Sequence, residues 1–304
     1  MDTESLKLFV LAAERLNISA AGRALGMAPA VASARLAKLE NKVGADLLRR
    51  STRKVSLSVE GADFLPYARA ILAQESAALE AIGHGNEHAT GILRFASTSS
   101  FAQLYIAPLL PEFLERNPGV TLEMHLSDRQ SDMIDGSFDL ALRNLALDDS
   151  SFKCRKLADD RRVLCAAPAY LARHGVPREP EELLSHQLIS FRHQSPRELI
   201  SSVAPPATFD PGLAGSRLTI DDGICQKVAT IAGAGISMNS LWNVHRHFRD
   251  GSLVRVLPDY VINDKAALWF LYPKSNVLTV KVRLFIDFLM ERIGDDPPWL
   301  KPVD

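Results

Sequence analysis

Two groups of residues in this 304-residue chain carry chemistry. The first is basic. Arg49, Arg50, Arg53 and Lys54 crowd around Ser51 and Thr52, between the apolar patches Leu47-Leu48 and Val55 to Leu57. This reads as a β-hairpin whose tip can reach phosphate oxygens. Upstream, a helical pattern turns Val31, Leu36 and Leu39 inward and shows Ser33, Arg35 and Lys38 outward. Residues 1–58 hold ten basic side chains and five acidic ones, an asymmetry hidden in the overall net charge of −1. Local charge governs attraction to a polyanion, so the whole-chain value does not exclude DNA. The second group is hydroxyl-rich. Ser97-Thr98-Ser99-Ser100-Phe101 follows an apolar strand pattern at 92–96 and precedes a helix, a place that favours an anion. The strand pattern at 138–142 delivers Arg143 to the same rim, and a guanidinium can grip a carboxylate in two places. Ser127 and Asp128 end a further strand, and the turn from Gly233 through Gly235 to Ile236 faces them. The competing reading is that Ser97 to Ser100 only cap a helix, with Arg143 solvated or paired to an acid.

The elements that must position these residues are legible in outline. Leu6, Phe9, Val10, Ala13 and Leu16 give a one-sided helix over residues 3–16. Ser19 is placed to cap a second helix through its side-chain oxygen. Gly26 makes the turn, Pro29 opens a third helix and Gly44 closes it. Residues 61–86 read as one long helix. Leu65, Leu72 and Leu79 recur every seven residues, a seam suited to a two-helix dimer or to packing on its own domain. Gly83, Gly85 and Gly91 bracket a linker. His84 and His88 have the four-residue spacing of helical metal ligands, but the glycines oppose a helix there. From Gly91 onward strands and helices alternate, which implies α/β sheets covered by helices. Residues 194–216, rich in Pro, Ser and Ala, give no pattern.

Other classes find little support. The chain carries no zinc-protease, phosphate-loop or nucleophile-elbow motif, and its histidines are scattered, so neither a catalytic residue nor a metal or cofactor is expected. Cys154, Cys165 and Cys225 are too few and too scattered for a disulfide framework and fit a reducing cytoplasm. The start, Met1-Asp2-Thr3-Glu4, does not resemble a signal peptide, and no apolar run is long enough for a membrane span. An exported solute-binding protein is therefore disfavoured. A purely architectural DNA-binding protein would leave the α/β region without a role.

The run from Leu25 to Glu40, and the run from Leu47 to Gly61, resemble the recognition helix, wing and linker start of the LysR-type transcriptional regulators. Phe138 to Arg143, Lys156-Leu157 and Ala167 to Leu171 resemble their effector domain. The resemblance implies an α+β multidomain protein. A winged helix-turn-helix would occupy 1–60, a dimerising linker helix and hinge 61–88, and a two-lobed α/β effector domain like a periplasmic binding protein 89–304. Lobe I would comprise 91–163 and 267–304, and lobe II 164–266. The chain would cross between lobes near 162–165 and 265–267. The implied protein is a cytoplasmic homodimer or homotetramer on double-stranded DNA with an interrupted inverted repeat. A small organic acid is its implied effector, and RNA polymerase is a candidate further partner. Where many members carry a basic residue after the recognition-helix serine, this chain has Ala34. Base readout would then lean on Ser33, Arg35, methyl contacts and DNA shape.

Overall fold

A computed structural model describes residues 2–50, 55–81, 89–128, 138–145, 152–192, 194–264, 266–273, 278–294 and 296–301. Arg53, Lys54, Gly83, His84, Gly85 and His88 lie outside the described residues, as does the side chain of Arg50. The chain divides into two compact units, residues 1–88 with 274–280, and residues 89–273 with 281–304.

The first unit opens with helix α1, Thr3–Arg15, capped by Asp2, whose carboxylate accepts from the Ser5 amide at 2.8 Å and the Ser5 hydroxyl at 2.9 Å. Helix α2 spans Ile18–Ala24. Its cap is Asn17, which accepts from the Ala20 amide at 2.9 Å, and not Ser19 as the sequence suggested. Helix α3, Pro29–Val43, buries Ala32, Leu36, Leu39 and Glu40. Val31 is 54% exposed, because it falls one residue off the Ala32–Leu36–Leu39 stripe. Strands β1, Leu48–Arg50, and β2, Val55–Leu57, form the expected antiparallel hairpin. Glu40 fixes it: its Oε1 accepts from the amides of Leu47 at 3.0 Å and Leu48 at 3.1 Å.

The long helix α4 spans Val59–Ala81, starting two residues before the sequence reading placed it. Ser58 starts it, accepting from the Gly61 amide at 2.7 Å and donating to the Asp46 carbonyl at 2.6 Å. Leu65 and Leu72 pack, with Phe64, against the helix-turn-helix core, so they do not form a free heptad seam. An Arg69–Glu14 ion pair at 3.2 Å, largely withdrawn from solvent, ties α4 to α1. The exposed large apolar residues of α4 are Val59, Tyr67, Ile71 and Leu79.

The second unit contains two five-stranded sheets among the described residues. The first uses β3 (Gly91–Ser97), β4 (Val120–Leu126), β5 (Leu140–Leu145) and β6 (Phe152–Asp159), with the late strand β15 (Ala267–Pro273). A helical stretch runs between β3 and β4, through α5 (Ser99–Phe101), a π-turn at Ala102–Ile106, a 3-10 turn at Ala107–Leu109 and α6 (Leu110–Arg116). The second sheet begins with β7 (Arg162–Ala166), which leads into α7 (Pro168–His174). It continues with β8 (Leu188–Phe191), β11 (Leu218–Ile220), α8 (Gly223–Ile231), β12 (Ile236–Ser240), α9 (Leu241–Arg249) and β13 (Val254–Arg255). A small third sheet joins β9 (Arg197–Ile200), β10 (Ala207–Phe209) and β14 (Val261–Ile262). It holds part of the Pro-, Ser- and Ala-rich stretch that gave no sequence pattern. Helix α10, Val280–Leu289, returns to the first lobe, where Phe285 stacks edge-on to Phe95 at 5.0 Å. The chain passes from the first sheet to the second through Asp160 and Arg161 and returns between Ile262 of β14 and Ala267 of β15. No helix among the described residues is long and apolar enough to cross a membrane.

Order in the first sheet is β4-β3-β5-β15-β6, with β3 parallel to both neighbours. Parallel pairing brings the carboxyl ends of β3, β4 and β5 to one edge, where ligands of open α/β sheets collect. In the first unit, a Cβ added to Gly61 would lie 1.9 Å from the Leu47 carbonyl oxygen, a backbone atom that cannot step aside. Gly61→Ala is therefore expected to destabilise this unit by about 1–3 kcal/mol, the usual cost of overpacking. A lowered midpoint in urea unfolding, with intact far-ultraviolet circular dichroism, checks it.

Candidate functional site

On α3 the inward stripe leaves Pro29, Ala30, Val31, Ala34, Lys38, Asn41 and Lys42 exposed. Ser33 and Arg35 are half-buried and flank that face. Arg35 also reaches Glu4 at 3.8 Å, a partly exposed pair worth little in water and readily given up to a phosphate. The amino-terminal half of that face is therefore mostly methyl groups, and the ammonium groups of Lys38 and Lys42 follow one turn apart.

At the carboxyl edge of the first sheet, β5 carries Arg143, which is buried and donates from Nη1 to the Ser127 carbonyl at 2.6 Å. The Ser127 amide in turn donates to the Ser97 carbonyl at 3.0 Å, linking the ends of β3, β4 and β5. Arg143 is the strand partner of Trp269, so their side chains share one face of the sheet. Ser97 pairs with Leu142 and so belongs to the opposite face, whereas alternation returns Thr98 to the Arg143 face. Thr98 Oγ1 and Trp269 Nε1 are both buried without a hydrogen-bond partner among the described residues, and so is Ser97 Oγ. Buried polar atoms are seldom left this way without a ligand or water. Trp269 escaped the sequence reading because an indole in an apolar strand looks like core.

The other expected residues have different employment. Ser99 Oγ accepts from Gln103 Nε2 at 3.1 Å. Ser100 donates its hydroxyl to Asp128 at 2.6 Å. Phe101 is fully buried and stacks with Tyr105 at 5.0 Å, Trp242 at 5.3 Å and Trp299 at 5.8 Å, so its ring is core and not cleft wall. Ile236 is likewise fully buried, in the core of the second lobe, and its amide donates to the Gln187 carbonyl at 2.9 Å. Gly235 lies so close to that same carbonyl that a Cβ would come within 2.2 Å. Both residues serve the junction of β12 with β8.

The crossings between lobes hold a polar cluster that sequence reasoning missed, because its members are scattered along the chain. The Asp160 carboxylate accepts from Asn144 Nδ2 at 2.6 Å and Ser240 Oγ at 2.7 Å. Arg162 lies 3.7 Å from Asp160 and 3.0 Å from Asp264, joining the two crossing segments. Nearby, the Tyr105 hydroxyl donates to the Trp242 carbonyl at 2.6 Å across the lobes. Burial pushes the Tyr105 phenol up and keeps it protonated for that role. Cys165 is buried and its thiol is pushed up to about 12, so it is inert. Among the described residues no group of side chains could hold a metal ion.

Residues 3–62 match the bacterial regulatory helix-turn-helix proteins of the lysR family, and residues 86–294 match the LysR substrate binding domain. The chain belongs to the LysR family. It is 32% identical over 295 residues to the transcriptional regulator CrgA of Neisseria meningitidis, an alignment covering 97% of this chain and 98% of that one. The structure of CrgA superposes with a TM-score of 0.61 at 30% identity, covering 97% of this chain and 100% of CrgA. Full-length AphB, a virulence activator of Vibrio cholerae, gives 0.59 at 26% identity, covering 96% and 100%. This LysR-type protein is thus a DNA-binding transcriptional regulator with a substrate-binding regulatory domain, and both relatives are regulators too.

Burial, opposed by Arg162, Ser240 and Asn144, raises the Asp160 carboxyl above the ordinary carboxylate range. The folded protein then holds this proton more tightly than the unfolded chain does. That contribution to stability is complete below the unfolded value, about 4, and is lost as pH rises through the folded one. Asp160→Asn keeps a carbonyl oxygen for Asn144 and Ser240 but cannot ionise. Relative to the parent, the variant should therefore gain stability as pH rises from about 4 toward neutrality. Urea unfolding at stepped pH measures this, and a pH-independent difference would exclude it.

Proposed function

We propose that this regulator binds a small organic acid between the lobes of its second unit, and that this binding modulates its hold on promoter DNA. The observation that carries the reading is the buried Arg143 guanidinium with two buried, unpartnered polar groups, Thr98 Oγ1 and Trp269 Nε1, assigned to the same sheet face. Cation, hydroxyl and indole N–H form a donor set suited to a carboxylate. Ser97 lies at the same strand end but on the opposite face, so it backs the site and does not line it. Nothing in this arrangement supplies a nucleophile with a base, so the role is binding and not catalysis.

Panels of small mono- and dicarboxylates, screened by thermal shift on the full-length protein, test the proposal. A true effector at a hundred times its dissociation constant stabilises by about 2.7 kcal/mol. Thr98→Ala and Trp269→Phe should abolish that shift while leaving promoter binding intact. Full protection retained by both variants would move the site elsewhere.

The DNA contacts belong to the same reading. Lys38 at the centre of the α3 face, Ser33 and Arg35 at its flanks, and Arg50, Arg53 and Lys54 of the wing meet the double helix, with Val31 offering methyl groups to thymine. Lys38→Ala should flatten the plot of log affinity against log salt by about one unit, as one phosphate contact is lost. An unchanged slope would remove Lys38 from the interface.

Assembly follows from α4. With Leu65 and Leu72 turned into their own unit, Tyr67, Ile71 and Leu79 are the exposed surface for a second copy. A homodimer presents two recognition helices and so reads an interrupted inverted repeat; pairing of dimers would give a tetramer. Light scattering on Ile71→Asp/Leu79→Asp should report a smaller species than the parent. A parent that is already monomeric at micromolar concentration would defeat both the dimer and the palindrome.

A further inference from the structure

The Asp128 carboxylate is held from both lobes at once. In the first lobe, its Oδ2 accepts from the Ser100 hydroxyl at 2.6 Å and its Oδ1 from the Ser100 amide at 3.3 Å. In the second lobe, the amide of Gly223, the first residue of α8, donates to Oδ2 at 2.9 Å. Helix α8 has its own cap, since Asp222 accepts from the Cys225 amide at 2.7 Å. Asp128 is therefore a second anion at the same helix start, supplied by the other lobe. The first amides of a helix lack partners within it and carry the positive end of its dipole, so a carboxylate there is favoured.

The surroundings are shaped for this approach. A Cβ on Gly223 would sit 2.6 Å from Ser100 Oγ, so only glycine lets α8 come this close to the first lobe. From behind, Asn243 of α9 donates to the Gly223 carbonyl at 2.9 Å and holds the helix start in place. We propose that Asp128 is an intramolecular latch: one side chain that closes the second lobe onto the first, with Ser100 and the α8 N-terminus as its two catches. The latch works in the protein without effector and does not depend on the effector being an acid. It also changes the duty of Ser100 and Asp128, which sequence reasoning placed among the effector contacts. Asp128 follows Ser127 directly, and the Ser127 carbonyl bears Arg143, so the latch is one peptide unit from the guanidinium.

Pulsed electron-spin distance measurement on the full-length protein tests this. Nitroxide labels at Glu115 in the first lobe and Glu181 in the second report closure, in a Cys154→Ser/Cys225→Ser background that leaves only the buried Cys165. Dilution with unlabelled chains confines the signal to intramolecular pairs. Asp128→Asn and Ser100→Ala should each lengthen and broaden the distance distribution. Asp222→Ala, which removes the local α8 cap but spares the bridge, should leave it unchanged. Hydrogen exchange at the Gly223 amide should quicken at least tenfold in Asp128→Asn. Distributions in Asp128→Asn and Ser100→Ala that superpose on the parent's would overturn the latch. So would equal opening by Asp222→Ala, which would reduce Asp128 to a helix cap. Ser100→Ala decides the matter if Asp128→Asn does not fold.

Discussion

The regulatory unit depends on how two sheets are joined by a chain that crosses between them twice. Each crossing takes backbone and charge out of water, and every such group must find a partner or cost free energy. Asp160 meets this constraint for the first crossing: its amide donates to the Ala266 carbonyl of the second crossing at 3.2 Å, and its carboxylate takes Asn144 from one lobe and Ser240 from the other. Arg162 then spans Asp160 and Asp264. A pair of crossings bound to each other in this way can bend but cannot easily separate. The lobes are left able to change their angle about a fixed seam, which is the motion a cleft-binding sensor needs.

Away from that seam, specific contacts join the lobes among the described residues. Tyr105 reaches Trp242 within the aromatic group of Phe101, Tyr105, Trp242 and Trp299, and Asp128 reaches Gly223. The π-turn at Ala102–Ile106 contributes here. One extra residue in a helical turn rotates the chain beyond it, and Tyr105 lies within that turn. Ser100 of α5, which donates to Asp128, and Tyr105 of the π-turn lie on a single helical stretch, so a ligand at Thr98, the residue just before α5, would act on the element that holds both contacts.

Legibility in the sequence tracked the range of the interactions involved. Elements set by local rules were read nearly to the residue. Helix α1 over Thr3–Arg15, α3 with Pro29 at its start and Gly44 at its end, and the wing strands all follow from caps, turns and periodicity. The π-turn and the small third sheet were not, because a π-turn leaves no periodic signature and β9 finds its partners β10 and β14 only across a fold. The heptad of α4 left its partner open for a related reason. Leucines seven apart fit a partner helix and a neighbouring core equally well, and α1 supplies the core through Phe9, whose ring lies 5.7 Å from that of Phe64. In the candidate effector site, Arg143 and Thr98 were legible as charge and hydroxyl at strand ends. Trp269 became visible only once strand pairing set it opposite Arg143.

The recognition helix shows how composition and position divide the work of binding DNA. Ala30, Val31 and Ala34 leave α3 with almost no hydrogen-bonding groups at its exposed centre. Methyl groups discriminate thymine weakly, and Lys38 reads charge more than sequence. In the proposed interface, affinity would then come from phosphate contacts, and specificity from DNA shape and from the spacing of the two heads of a homodimer. Spacing is a geometric quantity, and a sensor that changes an angle between rigid parts can act on it. A recognition helix poor in direct base contacts thus makes a regulator more dependent on assembly geometry, and so more responsive to a ligand that alters it.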